Sequence, residues 1–563
     1  MEFGSRLRTT NRNGWVDARR LIQKRSTGAS PVRLCISNPC ARPVIGSSGR
    51  ITGRVQRRDF LKTTGGIIPA LANGAQKSPA KRPNILFILA DDIGYGDVRC
   101  FHPASKIPTP NIDRMALEGI RFTDAHSPSG VCSPTRYGVL TGQYAWRGWL
   151  KRGVLMAYSP AMIEADRLTV AGLLKQQGYR TAAVGKWHVG MTFTKASGDI
   201  VSPKDGFIRD AGQIDFSKPI TGGPVDRGFD YFFGNAACPT TDYLYSYIEN
   251  RATVGKPTIE EPGGNFEKGQ PMTEYRPGMR SPGFDLTTVD VTLKDVSVRF
   301  LEEHAKTHPE KPFFLYHAMC AAHMPILPAK QFRGKSGVGL YGDFVVEADW
   351  VVGELIKTVD RLGLGENTII IFTSDNGPEI CVREVRQEFG HNASGTLRGL
   401  KRDNWEGGHR VPFVARWAGK IPKGSISTET LCLTDLMATA AAVSGAKLPN
   451  NAAEDSYNML PALLGKKGKR PIREATVHHS SDGAFAIRQG DWKLMLHQGA
   501  GDNNYAKIAP EPPVSEPDAA GQLYNLKTDP AERVNLYRRH PEIVARLSGL
   551  LKKYQDEGRS ANR

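Results

Sequence analysis

The chain is poor in cysteine and has no long apolar run. Only 8 cysteines occur in 563 residues, scattered without the spacing of a disulfide scaffold or of a zinc site. No stretch reaches the roughly 18 consecutive apolar residues that a membrane-spanning helix needs. We therefore predict a chain without a membrane span, built from about two domains plus tails, whose cysteines are mostly buried thiols.

Acidic residues are also few, since 57 Asp and Glu face 75 Lys and Arg for a net charge of +18. Residues 1–62 hold 14 Lys and Arg but only 3 Asp and Glu, so +11 lies there and +7 is left for the other 501 residues. A modest excess of this size suits an anionic substrate better than a nucleic acid. We predict no nucleic-acid partner.

The basic start of the chain contains a motif that resembles an export signal of the twin-arginine type. Arg57-Arg58-Asp59-Phe60-Leu61-Lys62 precedes a weakly apolar stretch, residues 63–71, and the small-residue cleavage site Ala70-Leu71-Ala72. A basic tail without this role is the alternative. We interpret residues 1–75 as a leader, and predict a bacterial protein exported to the periplasm or beyond by the twin-arginine machinery.

Two buried strands of a parallel sheet are each predicted to end in oxygen-bearing side chains. The unalternating apolar run 85–90 precedes Asp91 and Asp92, and the similar run 368–373 leads to Asp375 and Asn376. Open α/β sheets place ligands at the carboxyl ends of their strands. Because adjacent carboxylates repel one another unless a cation neutralises them, the residues suggest Ca²⁺, or less favourably Mg²⁺. A solvated strand end is the alternative.

Cys132 lies where a loop, Ser127-Pro128-Ser129-Gly130, gives way to a predicted helix. Backbone amides and the helix dipole favour anions at such a position, and Arg136 adds a planar cation. A lone cysteine is more often a packing residue than a nucleophile. The surrounding residues, rather than the thiol itself, make this position a candidate site.

Three other stretches carry candidate polar side chains. Lys186 and His188 lie in Gly185-Lys186-Trp187-His188-Val189-Gly190, directly after a predicted strand at 179–184. His323 follows a strand predicted at 312–319, and Lys401 ends Leu397-Arg398-Gly399-Leu400-Lys401. Taken singly, each residue is more often a surface or core side chain.

The pattern Cys132-x-Pro134-x-Arg136-x-x-x-Leu140-Thr141-Gly142 closely resembles the signature of formylglycine-dependent sulfatases of the arylsulfatase A type, in the alkaline phosphatase superfamily. The stretches around Asp91, Lys186 and Lys401 resemble further motifs of that family, in the same order along residues 82–540. His323 matches the family histidine, although Ala322 stands where members often have proline.

The resemblance implies an α/β fold with a large, mixed, mostly parallel sheet between helices and a smaller C-terminal antiparallel sheet plus helix. It implies a catalytic domain at 76–470 and a C-terminal subdomain at 471–563. His478 and His479 of that subdomain are weaker pocket candidates. The long loops of residues 191–284 are candidates for substrate selection, against ordinary packing.

The resemblance also implies the chemistry, which is hydrolysis of organic sulfate esters, with sulfated carbohydrates favoured as substrates. Cys132, oxidised to formylglycine by a formylglycine-generating enzyme, would be the nucleophile, and His323 the general acid. The roles implied for the other residues are metal binding together with residue 132 (Asp91, Asp92, Asp375, Asn376), stabilisation of the sulfate charge (Arg136, Lys186, Lys401) and support of the aldehyde hydrate (His188). A phosphonate monoester or phosphodiester hydrolase of the same superfamily and a non-catalytic sulfoglycan-binding protein are the alternatives.

Overall fold

The computed structural model describes residues 82–240, 242–268, 270, 272–502, 512 and 514–562. They belong to one compact unit, Lys77–Arg563. The predicted leader, residues 1–75, lies outside the described residues. No helix in the described part of the chain is both long and apolar enough to cross a membrane.

Short strands dominate the element order. The strands are β1 (Asn84–Ala90), β2 (Ile120–Phe122), β3 (Ala125–His126), β4 (Arg180–Lys186), β5 (Tyr231–Asn235), β6 (Leu244–Tyr245), β7 (Ile248–Glu249), β8 (Ala252–Thr253), β9 (Ile259–Glu261), β10 (Gly264–Asn265), β11 (Glu274–Tyr275), β12 (Gly278–Arg280), β13 (Phe313–Ala318), β14 (Thr368–Ser374), β15 (Phe413–Arg416), β16 (Ser425–Ser427), β17 (Leu431–Cys432), β18 (Thr476–His479), β19 (Phe485–Gln489), β20 (Trp492–Met495) and β21 (Gln522–Asn525). The helices are α1 (Pro110–Glu118), α2 (Cys132–Thr141), α3 (Val170–Gln176), α4 (Val289–Thr307), α5 (Gly339–Arg361), α6 (Val382–Phe389), α7 (Glu406–His409), α8 (Leu436–Ser444), α9 (Leu460–Leu463) and α10 (Pro541–Asp556).

Ten strands form the main sheet, in the order β16-β2-β15-β14-β1-β13-β4-β5-β7-β8. The five central strands, from β14 to β5, are mutually parallel, and antiparallel pairs flank them. This is the mixed, mostly parallel sheet that the resemblance implies. Parallel neighbours bring their carboxyl ends to one edge, so polar residues that follow different strands become close in space.

Helices cover both faces of this sheet, which explains the unalternating apolar runs. Along β1, alternate side chains enter two separate cores, with Phe87 in one and Leu86 in the other. One core also receives side chains of α2, α3 and α8, and the other those of α1, α4 and α5. A strand buried on both faces needs apolar residues at every position.

The C-terminal region folds as a four-stranded antiparallel sheet, β18-β19-β20-β21. The last helix, α10, buries Leu547, Leu551 and Tyr554 in the same core as strand residues such as Ile487. The predicted fold class is therefore confirmed. The domain boundary at residue 470 stays a prediction.

Residues 431–444 form an apolar run that is typical of a single helix, but the structure divides it. Leu431 and Cys432 pair in parallel with Ala125 and His126 of β3, and α8 begins only at Leu436. A local apolar pattern cannot reveal this pairing, since the partner strand lies some 300 residues earlier in the chain.

Candidate active site

Four oxygen-bearing side chains meet where β1 and β14 end. Asp91 and Asp92 follow β1, Asp375 and Asn376 follow β14, and the two parallel strands are aligned along their whole length. All four side chains are fully buried. The backbone N–H of Asp92 donates to Oδ1 of Asp375 at 3.3 Å, and Nδ2 of Asn376 donates to Oδ1 of Asp92 at 2.6 Å. The structure thus brings together the four side chains that sequence reasoning selected as metal ligands.

Two oxygens of this group are without hydrogen-bond partners among the described residues. They are Oδ1 of Asp91 and Oδ1 of Asn376, and both are buried. A buried oxygen without a partner costs free energy. Burial, together with the charge of Asp91, raises the pKa of Asp375 to about 6. Unpartnered oxygens among crowded carboxylates fit a hard cation such as Ca²⁺.

Cys132 lies at the edge of this group as the first residue of α2. Its Sγ and one oxygen each from Asp91 and Asp375 all lie within 4.8 Å of one another. Burial raises the pKa of the Cys132 thiol, but the nearby charges, Lys186 and His188 foremost, outweigh burial and lower it overall. Residue 132 therefore faces both the carboxylates and a set of cations.

Arg136, one turn along α2 from Cys132, is fully buried and holds Asp375 in place. Its Nε and Nη2 donate to Oδ2 of Asp375 at 3.0 and 2.8 Å, and its Nη1 donates to the backbone carbonyl of Lys186 at 2.9 Å. Sequence reasoning assigned this guanidinium to the sulfate. That role stays a prediction, and the contacts of Arg136 in the structure are with a carboxylate of the strand-end group and with the end of β4.

Two lysines pair with the two carboxylates that follow β1. Lys186, the last residue of β4, donates from Nζ to Oδ2 of Asp91. Lys401 donates to Oδ2 of Asp92 at 2.7 Å and lies 3.4 Å from Glu379. Despite burial, which acts in the opposite direction, Asp92 and Glu379 raise the pKa of Lys401 above its usual range. Both lysines are therefore charged at neutral pH and close to residue 132.

Two histidines complete the predicted set. His188 donates from Nε2 to the backbone carbonyl of Leu155 at 2.7 Å, which leaves Nδ1 directed into the site. His323 donates from Nδ1 to the carbonyl of Met324 at 2.5 Å, and its Nε2 lies 3.9 Å from Oδ2 of Asp92. His188 has a positive φ of 56°, a strained conformation consistent with a residue held for function.

Cys238 is a pocket residue that sequence reasoning missed. It was interpreted as one of several scattered buried thiols, and it is indeed buried, but its Sγ lies 3.6 Å from Nε2 of His323 and 4.0 Å from Nδ1 of His188. Burial raises the pKa of the Cys238 thiol, but His323 and Lys186 outweigh burial and hold it well below its usual range. No local motif marks this residue, since it lies in a loop 50 residues after His188.

The two candidate histidines of the C-terminal region, His478 and His479, have different environments. His478 is fully buried and stacks on His409, with ring centres 3.7 Å apart, in a cluster that includes His126. His479 contributes its backbone carbonyl to Ser129, in the loop before Cys132. His478 therefore belongs to a separate buried cluster, whereas His479 supports the loop that precedes the nucleophile position.

The chain is similar in sequence and in structure to proteins of known activity. The Sulfatase family profile matches residues 83–446. An N-acetylgalactosamine-6-O-sulfatase of Bacteroides thetaiotaomicron is 35% identical over 84% of this chain and 93% of its own length, and human arylsulfatase A is 34% identical over 83% of this chain and 85% of its own length. A solved structure from work on glycosaminoglycan metabolism by Bacteroides thetaiotaomicron superposes with a TM-score of 0.71 at 32% identity, covering 85% of this chain and all of the other.

These matches extend over the main sheet and over the strand-end residues described above. The chain therefore belongs to the formylglycine-dependent sulfatase family and is a sulfuric ester hydrolase.

Proposed function

We propose that this enzyme hydrolyses sulfate esters of carbohydrates, with residue 132 acting as formylglycine beside a bound calcium ion. The observation that carries the proposal is the convergence of Cys132, two unpartnered oxygens and two charged lysines at one edge of the sheet. Each of these groups has a task in the transfer of a sulfuryl group.

Asp91, Asp92, Asp375 and Asn376 would hold Ca²⁺, together with the oxygen that residue 132 carries after conversion. When bound, the ion supplies a positive charge that polarises the sulfate group. Arg136 keeps Asp375 oriented through its paired donors. Its charge also offsets the repulsion among the three carboxylates.

Residue 132 supplies the nucleophile, which in the mature protein is a hydroxyl of the hydrated formylglycine aldehyde. His188 supports that hydrate, because its Nδ1 is directed into the site while Nε2 is held by the carbonyl of Leu155. The N-terminus of α2 adds backbone donors and a favourable dipole at the position where anionic oxygen develops.

Lys186 and Lys401 stabilise the negative charge that grows on the sulfate oxygens. They approach from β4 and from the loop before α7, so a sulfate between them meets charge on two sides. His323 donates a proton to the leaving alcohol, a task that suits its Nε2 because Nδ1 is fixed by the carbonyl of Met324. Sugar alcohols are poor leaving groups and need this proton.

The carbohydrate assignment rests on two observations outside the catalytic residues. Relatives at 30% identity or more include an enzyme named for N-acetylgalactosamine 6-sulfate. The segment of residues 191–284 carries the short strands β5 to β12, of which β5, β7 and β8 belong to the main sheet, and its loops contribute Cys238 to the site. We propose that these loops select the sugar.

We also propose that the protein is exported by the twin-arginine machinery and that a formylglycine-generating enzyme modifies it. The motif at residues 57–62 supports export, and the formylglycine signature around Cys132 supports modification.

The experiment is sulfate release from defined sulfated mono- and oligosaccharides, measured with matured enzyme and with the Cys132→Ala variant. The proposal predicts release by the first and none above background by the second. Hydrolysis confined to aryl phosphonates or phosphodiesters would favour the other activity of the superfamily. Binding of sulfated sugars without turnover, by protein with full conversion at residue 132, would favour a sulfoglycan-binding protein.

A further inference from the structure

A second group of potential metal ligands lies next to the calcium site. Sγ of Cys238 is 3.6 Å from Nε2 of His323 and 4.0 Å from Nδ1 of His188; Cys238 and His188 are buried, and His323 is partly buried. Nothing in the reaction proposed above uses the thiol. The group is nonetheless composed of the two side-chain types that soft divalent ions prefer, a thiol and imidazoles.

Both histidines are oriented as metal ligands are. Each donates one ring N–H to a backbone carbonyl, His188 to Leu155 and His323 to Met324, and each directs its other ring nitrogen towards Cys238. Metal-binding histidines commonly make this kind of outer hydrogen bond, which fixes the tautomer and the ring. The free nitrogens therefore converge on the thiol without any rotation of the rings.

The spacing also fits a tetrahedral ion. Bond lengths of about 2.3 Å to sulfur and about 2.1 Å to nitrogen place the two ligand atoms about 3.6 Å apart at a tetrahedral angle. The Cys238–His323 separation has this value, and the Cys238–His188 separation is 0.4 Å longer. One carboxylate oxygen of Asp242 lies within 4.8 Å of the His188 and Cys238 ligand atoms, so these three residues form a compact ligand group, which His323 contacts through the sulfur.

We propose that Cys238, His188 and Asp242, with His323 beside the sulfur, form a binding site for a thiophilic divalent ion, represented by Zn²⁺, and that its occupancy inhibits the enzyme. The site differs from the calcium site in chemistry, because it offers sulfur and nitrogen where the strand ends offer only oxygen. The inhibition rests on the proposed function, since His188 cannot both ligate an ion and support the aldehyde hydrate. The binding itself does not depend on that function.

Binding is tested with Co²⁺ as the probe, in the presence of excess Ca²⁺, on full-length Cys132→Ala protein. This background removes the other thiol of the pocket. We expect one equivalent of Co²⁺ with a thiolate-to-cobalt charge-transfer band, and loss of that band in Cys132→Ala/Cys238→Ser. Thermal unfolding of both proteins without Co²⁺ checks that they are folded. A band that survives in the double variant, or no band in the single variant, overturns the proposal.

Inhibition is tested with buffered Zn²⁺ on matured enzyme, with each variant compared with its own rate in the absence of zinc. We expect reversal by a chelator that leaves Ca²⁺ bound, and a half-inhibiting Zn²⁺ concentration at least about tenfold higher in Cys238→Ser, from the loss of a strong ligand. Cys100→Ser is the matched control, because this partly exposed thiol lies outside the pocket. Equal zinc sensitivity of wild type and Cys238→Ser would overturn the inhibitory role. A preparation that binds Co²⁺ through Cys238 but hydrolyses no sulfate ester would contradict the proposed function alone.

Discussion

Arg136 shows how a single buried side chain can connect three segments of the site. Its guanidinium makes paired contacts with Asp375 and a third with the carbonyl of Lys186, so it connects α2, β14 and β4. Lysine keeps the positive charge but not the planar fork. The contribution of Arg136 to metal binding should therefore depend on the geometry of its donors more than on its charge.

We predict that Arg136→Lys lowers calcium affinity by about 10–100-fold, the range found for groups that orient metal ligands. Isothermal titration of metal-free protein with Ca²⁺ measures the effect. Arg410→Lys is the control, because Arg410 is a similarly paired arginine that contacts Glu406 and the carbonyl of Thr123, away from the strand-end oxygens. Unchanged calcium affinity in Arg136→Lys would show that Asp375 needs no such support.

The role of His323 predicts a dependence on the leaving group. We expect His323→Ala to reduce turnover of a sugar sulfate by about 10²–10⁴-fold, the usual contribution of a general acid. Turnover of an activated aryl sulfate should fall far less, because its phenolate leaves without a proton. Steady-state rates with both substrates measure the difference, and His308→Ala, at the C-terminal end of α4, is the control. An equal loss with both substrates would contradict the acid role.

Sequence motifs alone could select Cys132, the strand-end side chains and the two lysines that the structure brings together, because each lies in a short contiguous motif. The direction of Arg136 and the position of Cys238 could not be predicted in this way. Both depend on which backbone segments fold against one another across 50 residues or more. The thiol in particular has no neighbour in sequence that marks it as part of the site.

At the scale of elements, the site depends on the close spacing of parallel strands. Gly185 precedes Lys186 in β4 and has a φ of 113°, and a Cβ there would lie 1.8 Å from the carbonyl oxygen of Ala318 in β13. A side chain at this position would force β4 and β13 apart. The end of β4, which carries Lys186, would then move away from the carboxylates.

We predict that Gly185→Ala lowers the free energy of unfolding by about 3 kcal/mol or more, the upper range for overpacking, and lowers activity through displacement of Lys186. Urea unfolding and sulfate release measure the two effects. Gly178→Ala is the control, since Gly178 also has a positive φ, 83°, but its Cβ would meet nothing within 4 Å. Equal stability of the two variants would mean that backbone strain, rather than the contact with β13, decides the outcome.

The buried parallel strands could be predicted from their unalternating apolar runs, and the meeting of their polar ends followed from topology. The short strands of residues 231–280 could not. Buried and exposed side chains do not alternate regularly along them. In addition, β6 pairs with β12 rather than with a strand next to it in the sequence. Pairing of this kind is decided by tertiary contacts.

At the scale of the whole molecule, buried histidines link stability to pH. His317, in the interior of β13, contacts Ser297, and burial lowers its pKa to about 3. Between that value and the unfolded pKa of about 6.5, the unfolded state binds the extra proton, so stability falls as the pH falls. Buried carboxylates with a raised pKa, such as Asp290 at about 7 through burial, act in the opposite direction.

Because these effects offset one another in the whole protein, we predict a difference between variants. Between pH 7.5 and pH 5, wild type should lose about 2 kcal/mol more unfolding free energy than His317→Asn, at about 1.4 kcal/mol per pH unit below 6.5. Urea unfolding at the two pH values measures both. His308→Asn, outside the strand, is expected to follow wild type. Equal losses of unfolding free energy in wild type and His317→Asn would contradict the interpretation that buried His317 is neutral.

The central claim is that residue 132 is the converted nucleophile of a sulfate ester hydrolase. The most direct measurement is the mass of the tryptic peptide Phe122–Arg136 from a preparation that releases sulfate from a sulfated sugar. The account predicts a mass about 18 Da below that of the cysteine form, from exchange of the thiol for an aldehyde. A preparation with full sulfatase activity in which this peptide carries only the unmodified thiol would contradict it.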